Sequence, residues 1–354
     1  MNLRFDWADL PLLTADLPGT GGRIRSVEAD FQVTEEGAYP LSGAGEHLYL
    51  WLEKRGHTTK FVVDELARQL GVKFAEVGVA GLKDRHAVTK QWISLPRRFE
   101  SRLESFAVPG VQILETTLHT NKLGIGHLRG NRFKIRVRGA VGESSARVQA
   151  ILEQLVRRGV PNYFGPQRFG NTGENAVRGA ELVRDGRMRG SESIAIKRFL
   201  ISSLQSLLFN HTLRLRLERG IYDAVLRGDI AKKHESGGIF VVEDTTTDSA
   251  RAAALEISAT APLYGRKVTP VAQHEARALE DEVLAAFDLT WAQFKDRHGD
   301  RRITRIKMGE ARFEQAEDGY WLEFSLPKGC FATTVLREVM KVDVDSAEDD
   351  SSEG

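Results

Sequence analysis

Segments with a two-residue periodicity alternate irregularly with segments of helical periodicity, and this pattern restricts the fold of the chain more than any other feature. Residues 23–35 and 47–53 alternate apolar and polar side chains, which is typical of half-buried strands. Residues 60–70 repeat apolar positions at helical spacing and are followed by Gly71, a residue suited to the end of a helix. Because the strands and helices follow no regular β–α repeat, we predict an α+β protein with a mixed β-sheet core flanked by helices.

The later part of the chain repeats this mixture. Residues 146–158 predict a helix with an N-cap at Ser144 or Ser145, and residues 199–218 form the longest periodic segment, with its leucines on one side. Another helix is predicted over 275–287, and strand-like alternation returns from about residue 303. At 354 residues the chain is long enough for roughly two domains.

The composition excludes several classes of protein. Hydrophobic residues make up 41% and charged residues 28%, as in an ordinary globular chain. No window approaches ~18 uninterrupted apolar residues, and the N-terminus carries acids without an apolar stretch, so neither a transmembrane helix nor a signal peptide is expected. The single cysteine, Cys330, cannot form an internal disulfide. We therefore expect a cytoplasmic protein without membrane association.

The net charge of +1 conceals an uneven distribution. The last twelve residues, 343–354, contain six acids and neither lysine nor arginine, which predicts a disordered acidic tail. The remainder has 50 basic and 43 acidic residues, a net charge of +7. Such a mild excess is compatible with nucleic-acid binding but does not establish it.

One basic segment, GNRFKIRVRG at 130–139, alternates cations with apolar residues. On a strand, one face would carry all of its cations, namely Arg132, Lys134, Arg136 and Arg138. A solvated sheet face is one explanation. The mutual repulsion of four like charges favours another, an anionic ligand such as an RNA backbone. Both explanations stay open at this point.

Three further segments carry unusual combinations of residues: AGLKDRHAVTKQW (80–92), PNYFGPQRFG (161–170) and LPKGCFATTVLRE (326–338). Asp84 lies in the first, which could also be an ordinary charged turn. The second places aromatic and amide side chains between rigid bends, which is typical of a platform that stacks and hydrogen-bonds a base. Dinucleotide fingerprints, P-loops, nucleophile elbows and metal-ligand spacings are absent from the sequence, so we expect no cofactor and no metal.

These segments resemble the signature segments of the TruD family of tRNA pseudouridine synthases, and they occur in the family's order. ADFQVTE at 29–35 resembles the family's EDFxVxE strand. The resemblance runs from about residue 19 to residue 341 and is weak over the middle segment. It implies a pseudouridine-synthase-type catalytic core over 1–187 and 306–342, with an inserted α/β domain over 188–305.

The resemblance also implies a reaction. The chain would isomerise uridine to pseudouridine at position 13 of tRNA, without a redox cofactor and with no obligate protein partner. The catalytic residue would be Asp84, acting as a nucleophile on the sugar or base, or by proton abstraction at C2′. A non-catalytic RNA-binding protein on the same scaffold, and the same chemistry on another RNA, are the alternatives.

By the same resemblance, Phe31, Asn162 and Phe331 line the uridine pocket. Two aromatic rings could sandwich a flipped uracil while an amide pairs with its O4/N3 edge, although Phe31 could also be a core strand residue. We expect Phe164 and Phe169 to pack within their loop.

Burial would disfavour the charged form of the catalytic carboxylate, so Asp84 needs a cationic partner. The supporting residues are Arg25, Lys83 and Arg337. Of these, Lys83 is the weaker candidate for direct contact with Asp84, because adjacent strand side chains point to opposite faces. Arg25 or Arg337, brought in from elsewhere in the fold, fits that role better, although either could be an ordinary surface arginine.

Overall fold

The computed structural model of the chain describes residues 2–141, 144–185, 193–266 and 268–344. Its strands, in chain order, are β1 (Phe31–Gly37), β2 (His47–Arg55), β3 (Gly78–Val79), β4 (Val88–Pro96), β5 (Val111–His119), β6 (Leu128–Val137), β7 (Val160–Pro161), β8 (Ile230–Lys233), β9 (Ile239–Val241), β10 (Ile257–Leu263), β11 (Asp300–Ile303), β12 (Arg305–Ile306), β13 (Arg312–Ala316) and β14 (Gly319–Pro327). Its α-helices are α1 (Thr59–Leu70), α2 (Ser144–Arg158), α3 (Asn175–Arg184), α4 (Ile194–Glu218), α5 (Thr245–Ala253), α6 (His274–Ala285) and α7 (Ala332–Met340).

The described residues fall into two compact units. The sheet unit comprises residues 20–149 and 308–330, and the helical unit comprises the described residues of 1–19, 150–307 and 331–354. Helix α2 begins in the sheet unit and ends in the helical unit. The predicted α+β class with a mixed sheet is confirmed, since both units combine strands with helices and the larger sheet contains parallel and antiparallel pairs.

The sheet unit contains one eight-stranded sheet in the order β13-β14-β6-β1-β4-β2-β5, with β3 also paired to β4. Strands β1 and β4 run parallel, whereas β2 runs antiparallel to both β4 and β5. Helix α1 packs its apolar side on the inward residues of β2 and β4, including Leu50 and Ile93, both 0% exposed. Full burial of such a side chain is worth about 1.5–3 kcal/mol, which anchors the strand ends that carry the candidate site.

Helix α1 agrees with its sequence prediction at both ends. The Thr58 hydroxyl accepts a hydrogen bond from the Phe61 amide at 3.1 Å, which satisfies one of the helix's free N–H groups. Gly71 ends the helix with φ +71°, a left-handed conformation that favours glycine.

Strand β1 is shorter than its sequence pattern predicts. The alternation over 23–35 suggests a strand throughout, yet β1 begins only at Phe31, and residues 28–30 form a 3₁₀ turn. Arg25 has φ +57°, which no strand residue adopts. The chain turns here because Arg23 exchanges two 2.9 Å backbone hydrogen bonds with Arg138 instead of continuing the ladder of β1.

The helical unit contains a four-stranded sheet in the order β11-β10-β8-β9 and a two-stranded ribbon of β7 and β12. Its central element is α4, which is buried on almost every side between residues 200 and 213 rather than on a single leucine face. More than the leucine side of α4 is buried because α3, α6 and β10 each pack against it. Polar side chains such as Asn210, 0% exposed, are buried together with the leucines.

The predicted domain boundaries differ from these two units. The described residues of 188–305 supply their own sheet and no strand to the eight-stranded sheet, but their unit also includes residues 150–185, where α3 packs on α4, and the N-terminal residues up to 19. The predicted core segment 306–342 is divided, with 308–330 in the sheet unit and α7 in the helical unit. The boundary between 187 and 188 lies outside the described residues, as do residues 345–354 of the predicted tail, whereas Val344 is buried.

Candidate active site

Asp84 lies on a loop, residues 80–87, that leads directly into β4 in the sheet unit. Hydrogen bonds from surrounding elements fix the backbone of this loop. The Lys83 amide donates to the Thr59 hydroxyl at 2.8 Å, and the Gln91 side-chain amide donates to the Gly81 carbonyl at 3.3 Å. On the other side, the Gly126 amide donates to the Ala80 carbonyl at 2.8 Å. The loop therefore has a defined shape although it belongs to no helix or strand.

A buried ion pair adds a further anchor to the loop. The Lys83 ammonium lies 2.9 Å from a carboxylate oxygen of Glu35, and the two side chains are 5% and 1% exposed. The second oxygen of Glu35 accepts a hydrogen bond from the Trp92 amide at 3.3 Å. Lys83 thus supports the loop through Glu35, in agreement with the expectation that it is not the direct partner of Asp84.

The Asp84 side chain is 65% exposed, and one carboxylate oxygen lies 3.8 Å from the Arg25 guanidinium. The carboxylate is therefore not buried, and the side chain keeps most of its contact with solvent. Arg25 nevertheless supplies the opposite charge that the sequence argument required. An accessible carboxylate beside a guanidinium can approach a ribose or a base.

Arg25 is held in place by its surroundings. Its guanidinium carbon lies 4.3 Å from the centre of the Phe31 ring, a cation–π geometry, and its side chain is only 9% exposed. The left-handed backbone costs about 1–2 kcal/mol for a residue with a Cβ, so the packing around Arg25 must impose it. A rigid backbone here keeps the guanidinium close to Asp84.

Phe31 is a buried residue and offers no open face to a base. It is 3% exposed, Arg25 covers one face, and its ring meets Phe133 edge to face at 6.3 Å. This geometry favours the core interpretation of Phe31 over direct stacking on uridine. Its contact with Arg25 gives it an indirect connection to Asp84.

Asn162, in the helical unit, is 2% exposed, and both ends of its side-chain amide already have partners. Its nitrogen donates to the Ile303 carbonyl at 2.8 Å, and its oxygen accepts from the Arg302 guanidinium. The expectation of an amide that pairs with the uracil edge is not met in this arrangement. Asn162 instead ties the segment after β7 to the end of β11.

The loop 161–170 is mostly packed core rather than an open platform. Tyr163, Phe164 and Phe169 are 2%, 5% and 0% exposed, and Phe169 stacks on Phe5 with ring centres 4.1 Å apart. Phe164 and Phe169 are buried, but they pack on residues outside their loop, namely Phe209 and Phe5. The platform interpretation fails because neighbours distant in sequence cover the aromatic rings.

Phe331, also in the helical unit, is the N-cap residue of α7 and is 40% exposed. Its carbonyl accepts a hydrogen bond from the Thr334 hydroxyl at 2.7 Å, which fixes the first turn of the helix. An aromatic ring that stays open to solvent on a fixed backbone can stack on a base.

Arg337 lies on α7 and has structural contacts. It donates hydrogen bonds to the carbonyls of Trp7 and Leu10, and its guanidinium carbon lies 4.8 Å from the centre of the Trp7 ring. Burial lowers the pKa of Arg337 from its ordinary value. These contacts fix the N-terminal segment within the helical unit and do not support a role as the cation beside Asp84.

The basic segment lies on β6 and continues to Arg138, with Arg132, Lys134 and Arg136 on the more exposed face as predicted. The repulsion argument is wrong, because neighbouring strands supply acids. Arg132 lies 3.3 Å from Glu323 of β14 and 3.6 Å from Glu36 of β1. Lys134 and Arg136 instead lie over the Trp321 ring, at 5.3 and 5.8 Å.

Arg138 forms a bidentate pair with Asp30, with both hydrogen bonds at 2.7 Å. Asp30 is 1% exposed. Although burial raises the pKa of Asp30, the hydrogen bonds from Arg138 and from the Val27 amide outweigh it and hold the pKa below its ordinary value. Arg138 is therefore part of the fold, and Lys134 and Arg136 are the partly exposed cations of this strand that have no carboxylate within salt-bridge distance among the described residues.

Sequence reasoning missed two residues near Asp84, Lys54 and Leu82. Lys54 is 0% exposed, and its ammonium donates to the main-chain carbonyl of Asp84 at 2.7 Å. The sequence pattern could have predicted the burial of Lys54, because it lies on the same face of β2 as the buried residues Leu48, Leu50 and Leu52. Leu82 is 74% exposed, although its loop is fixed on both sides.

Within the described ranges, no helix is long and apolar enough to cross a membrane. The same residues contain no group of three histidine, cysteine, aspartate or glutamate side chains placed to hold a metal ion.

Comparison with known proteins gives a consistent match. A family model described as tRNA pseudouridine synthase D (TruD) matches residues 8–189 and 192–339. The tRNA pseudouridine synthase D of Thermus thermophilus is 53% identical over 344 residues, covering 97% of this chain and 95% of the relative. That of Anaeromyxobacter dehalogenans is 45% identical over 350 residues, covering 97% and 99%.

Among solved structures, a candidate tRNA pseudouridine synthase D from Methanosarcina mazei matches with a TM-score of 0.78 at 24% identity. The match covers 95% of this chain and 97% of the other. At this identity, the structural likeness shows the fold alone.

Proposed function

The chain belongs to the tRNA pseudouridine synthase D family, and we propose that it converts uridine to pseudouridine at position 13 of tRNA with Asp84 as the catalytic residue. One observation carries the assignment of Asp84. Its carboxylate is accessible and lies 3.8 Å from a rigidly held guanidinium, on a loop whose backbone is hydrogen-bonded on both sides. Such preorganisation is what a catalytic carboxylate requires.

The reaction breaks the N1–C1′ bond of uridine, turns the base and forms a C5–C1′ bond, while the proton on C5 is lost and one returns to N1. It is an isomerisation with no net electron transfer, so the proposal needs no redox cofactor. Asp84 can attack the sugar or base, or take a proton from C2′, and on either route Arg25 lies beside its carboxylate.

A uridine within a folded tRNA must leave its stack before a carboxylate can reach it. Leu82, two residues before Asp84, projects an apolar side chain from a fixed loop and is suited to occupy the space that the base vacates. In the helical unit, the exposed ring of Phe331 is suited to stack on a base. Base flipping is part of the proposal, and the roles of Leu82 and Phe331 in it are assigned and tested separately.

The partner in this proposal is tRNA, bound in the cytoplasm, with no protein partner required. Lys134 and Arg136 are the residues of β6 that we assign to the RNA backbone, since Arg132 and Arg138 have carboxylate partners. Contacts of this kind position the RNA without reading its sequence.

The test is modification mapping of tRNA transcripts incubated with the purified protein. Asp84→Asn is compared with Asp64→Asn, a matched change at an exposed acid of α1. We expect pseudouridine at position 13 with the wild type and the control, and none with Asp84→Asn, while tRNA binding changes only a few fold. Turnover by Asp84→Asn would refute the role of Asp84.

Two other outcomes would redirect the proposal. Product at a different uridine would replace position 13 while keeping the chemistry. Tight RNA binding without any product in the wild type would favour a non-catalytic RNA-binding protein.

A further inference from the structure

Lys54 is a buried ammonium that the reaction scheme above does not use. It lies near the end of β2, opposite Thr89 of β4 and Val111 of β5, and it is 0% exposed. Moving a lysine charge out of water is costly unless hydrogen bonds and opposite charge replace its solvation. A lysine at this position therefore needs a reason beyond strand formation.

The hydrogen bonds of Lys54 connect it to the candidate catalytic loop. Its ammonium donates to the carbonyl of Asp84 at 2.7 Å and to the carbonyl of His57 at 2.6 Å. It thus bridges the residues after β2 and the loop before β4. Both acceptors are main-chain oxygens, so these bonds fix backbone position and leave the Asp84 carboxylate available.

The charged groups around Lys54 leave Asp84 as its main opposite charge. Lys83 repels it, but Lys83 has its own counter-ion in Glu35 at 2.9 Å. The imidazole of His57 bonds to the Pro109 carbonyl, and Thr89 and Val111 of the flanking strands carry no charge. Another charged group of this region is Arg25, whose guanidinium lies 3.8 Å from the carboxylate of Asp84.

We infer that Lys54 is a positioning residue for Asp84, which it serves by fixing the backbone of that residue and by supplying a buried positive charge near its carboxylate. The inference rests on the proposed function, because it presupposes that Asp84 is the catalytic group. Lys54 does not touch the substrate in this scheme.

A pH dependence follows from this geometry. Burial lowers the pKa of Lys54 to about 8, against the opposing influence of the Asp84 charge. Above that pH the ammonium becomes an amine, its bonds to the two carbonyls weaken, and the positive charge is lost. The rate should therefore fall as the pH rises above about 8.

The stability of the fold should change in the opposite direction. Because the pKa of Lys54 is lower in the folded than in the unfolded chain, the unfolded chain binds more protons between the two values. This group therefore makes the free energy of unfolding increase as the pH rises from about 8 to about 10.5. Deprotonation of Lys54 therefore does not reduce activity between these two pH values by unfolding the chain.

The experiment measures single-turnover rates at saturating tRNA from roughly pH 6 to pH 10, the range in which Lys54 would titrate. Lys54→Met is compared with Lys90→Met, a matched change at a partly exposed lysine of β4. We expect Lys54→Met to lower the rate at pH 7 about 10–100-fold, as misplacement of a catalytic group does, and to remove the alkaline decline. The control should keep both the rate and the decline.

A second variant and a second readout keep the test decisive if Lys54→Met does not fold. Lys54→Arg retains a charge at all these pH values, so its alkaline decline should move upward. In wild type, NMR titration of the Lys54 ammonium should give a pKa near 8, and Asp84→Asn should lower it because the opposite charge is gone. An unchanged Lys54 titration in Asp84→Asn would refute the electrostatic connection.

The outcomes separate this inference from the proposed function. If Asp84→Asn is inactive while Lys54→Met keeps the wild-type rate and pH profile, only the positioning role fails. If Asp84→Asn keeps its activity, the catalytic role of Asp84 fails first, and the positioning role fails with it.

Discussion

The buried ion pair between Lys83 and Glu35 makes the most direct test of how the Asp84 loop is held. In Glu35→Gln the side chain keeps its shape and an acceptor for the Trp92 amide, but the Lys83 ammonium loses its counter-ion. Both side chains are at most 5% exposed, so water cannot replace the lost carboxylate without opening the structure. Removing one partner of a buried pair costs about 3–5 kcal/mol, and we expect a value near the lower end because the acceptor remains.

Native-state hydrogen exchange of the β4 amides measures this cost, because these amides exchange with solvent when the strand opens. The double variant Glu35→Gln/Lys83→Met removes both charges, and it should recover about 1–3 kcal/mol of the loss. The matched control is Glu65→Gln, which breaks a salt bridge to Arg68 on the surface of α1 and should leave exchange unchanged. Both pair variants should lower activity, because the loop loses an anchor in each.

Two results would contradict this reasoning. One is a Glu35→Gln protein whose β4 amides exchange as in the Glu65→Gln control. The other is a double variant that is no more stable than Glu35→Gln, which would show that the uncompensated charge of Lys83 is not the cause.

Four further predictions test the residues proposed to act on tRNA and one residue, Arg138, assigned to the fold. Phe331→Ala should lower the initial rate on tRNA about 10–100-fold through the loss of stacking, while Phe331→Tyr keeps most of it; a rate unaffected by alanine would exclude stacking. Lys134→Glu should weaken tRNA binding and reduce the salt slope of log Kd by about one, without lowering the melting temperature. Arg138→Glu should lower the melting temperature more than Lys134→Glu, because it leaves the buried Asp30 unpaired; equal melting temperatures would remove the distinction between the two cations. Leu82→Ser should leave stability unchanged and slow the reaction on folded tRNA more than on a short single-stranded RNA with the same uridine. Ile125→Ser, a change at a side chain that is 75% exposed, is the control. Equal slowing on both RNAs would exclude the proposed role of Leu82 in occupying the space that the base vacates.

Local features of this protein follow from the sequence by itself. The periodicity of residues 60–70, with Thr58 before them and Gly71 after them, is enough to predict α1, because a helix and its caps involve neighbours along the chain. The alternation over 47–53 predicts β2 for the same reason. The four motif segments likewise direct attention to Asp84 before any contact is known, and the family match is consistent with them.

Only the tertiary structure decided which side chains are buried and which charges meet. Glu35 and Lys83 lie 48 positions apart, and Asp30 and Arg138 lie 108 apart, so no local pattern pairs them. The same holds for Phe31, which Arg25 and Phe133 cover, and for Phe331, which stays open. The physical reason is that burial and the electrostatics that follow from it depend on elements packed together across the fold, whereas periodicity reports only the side of its own strand or helix on which a residue lies.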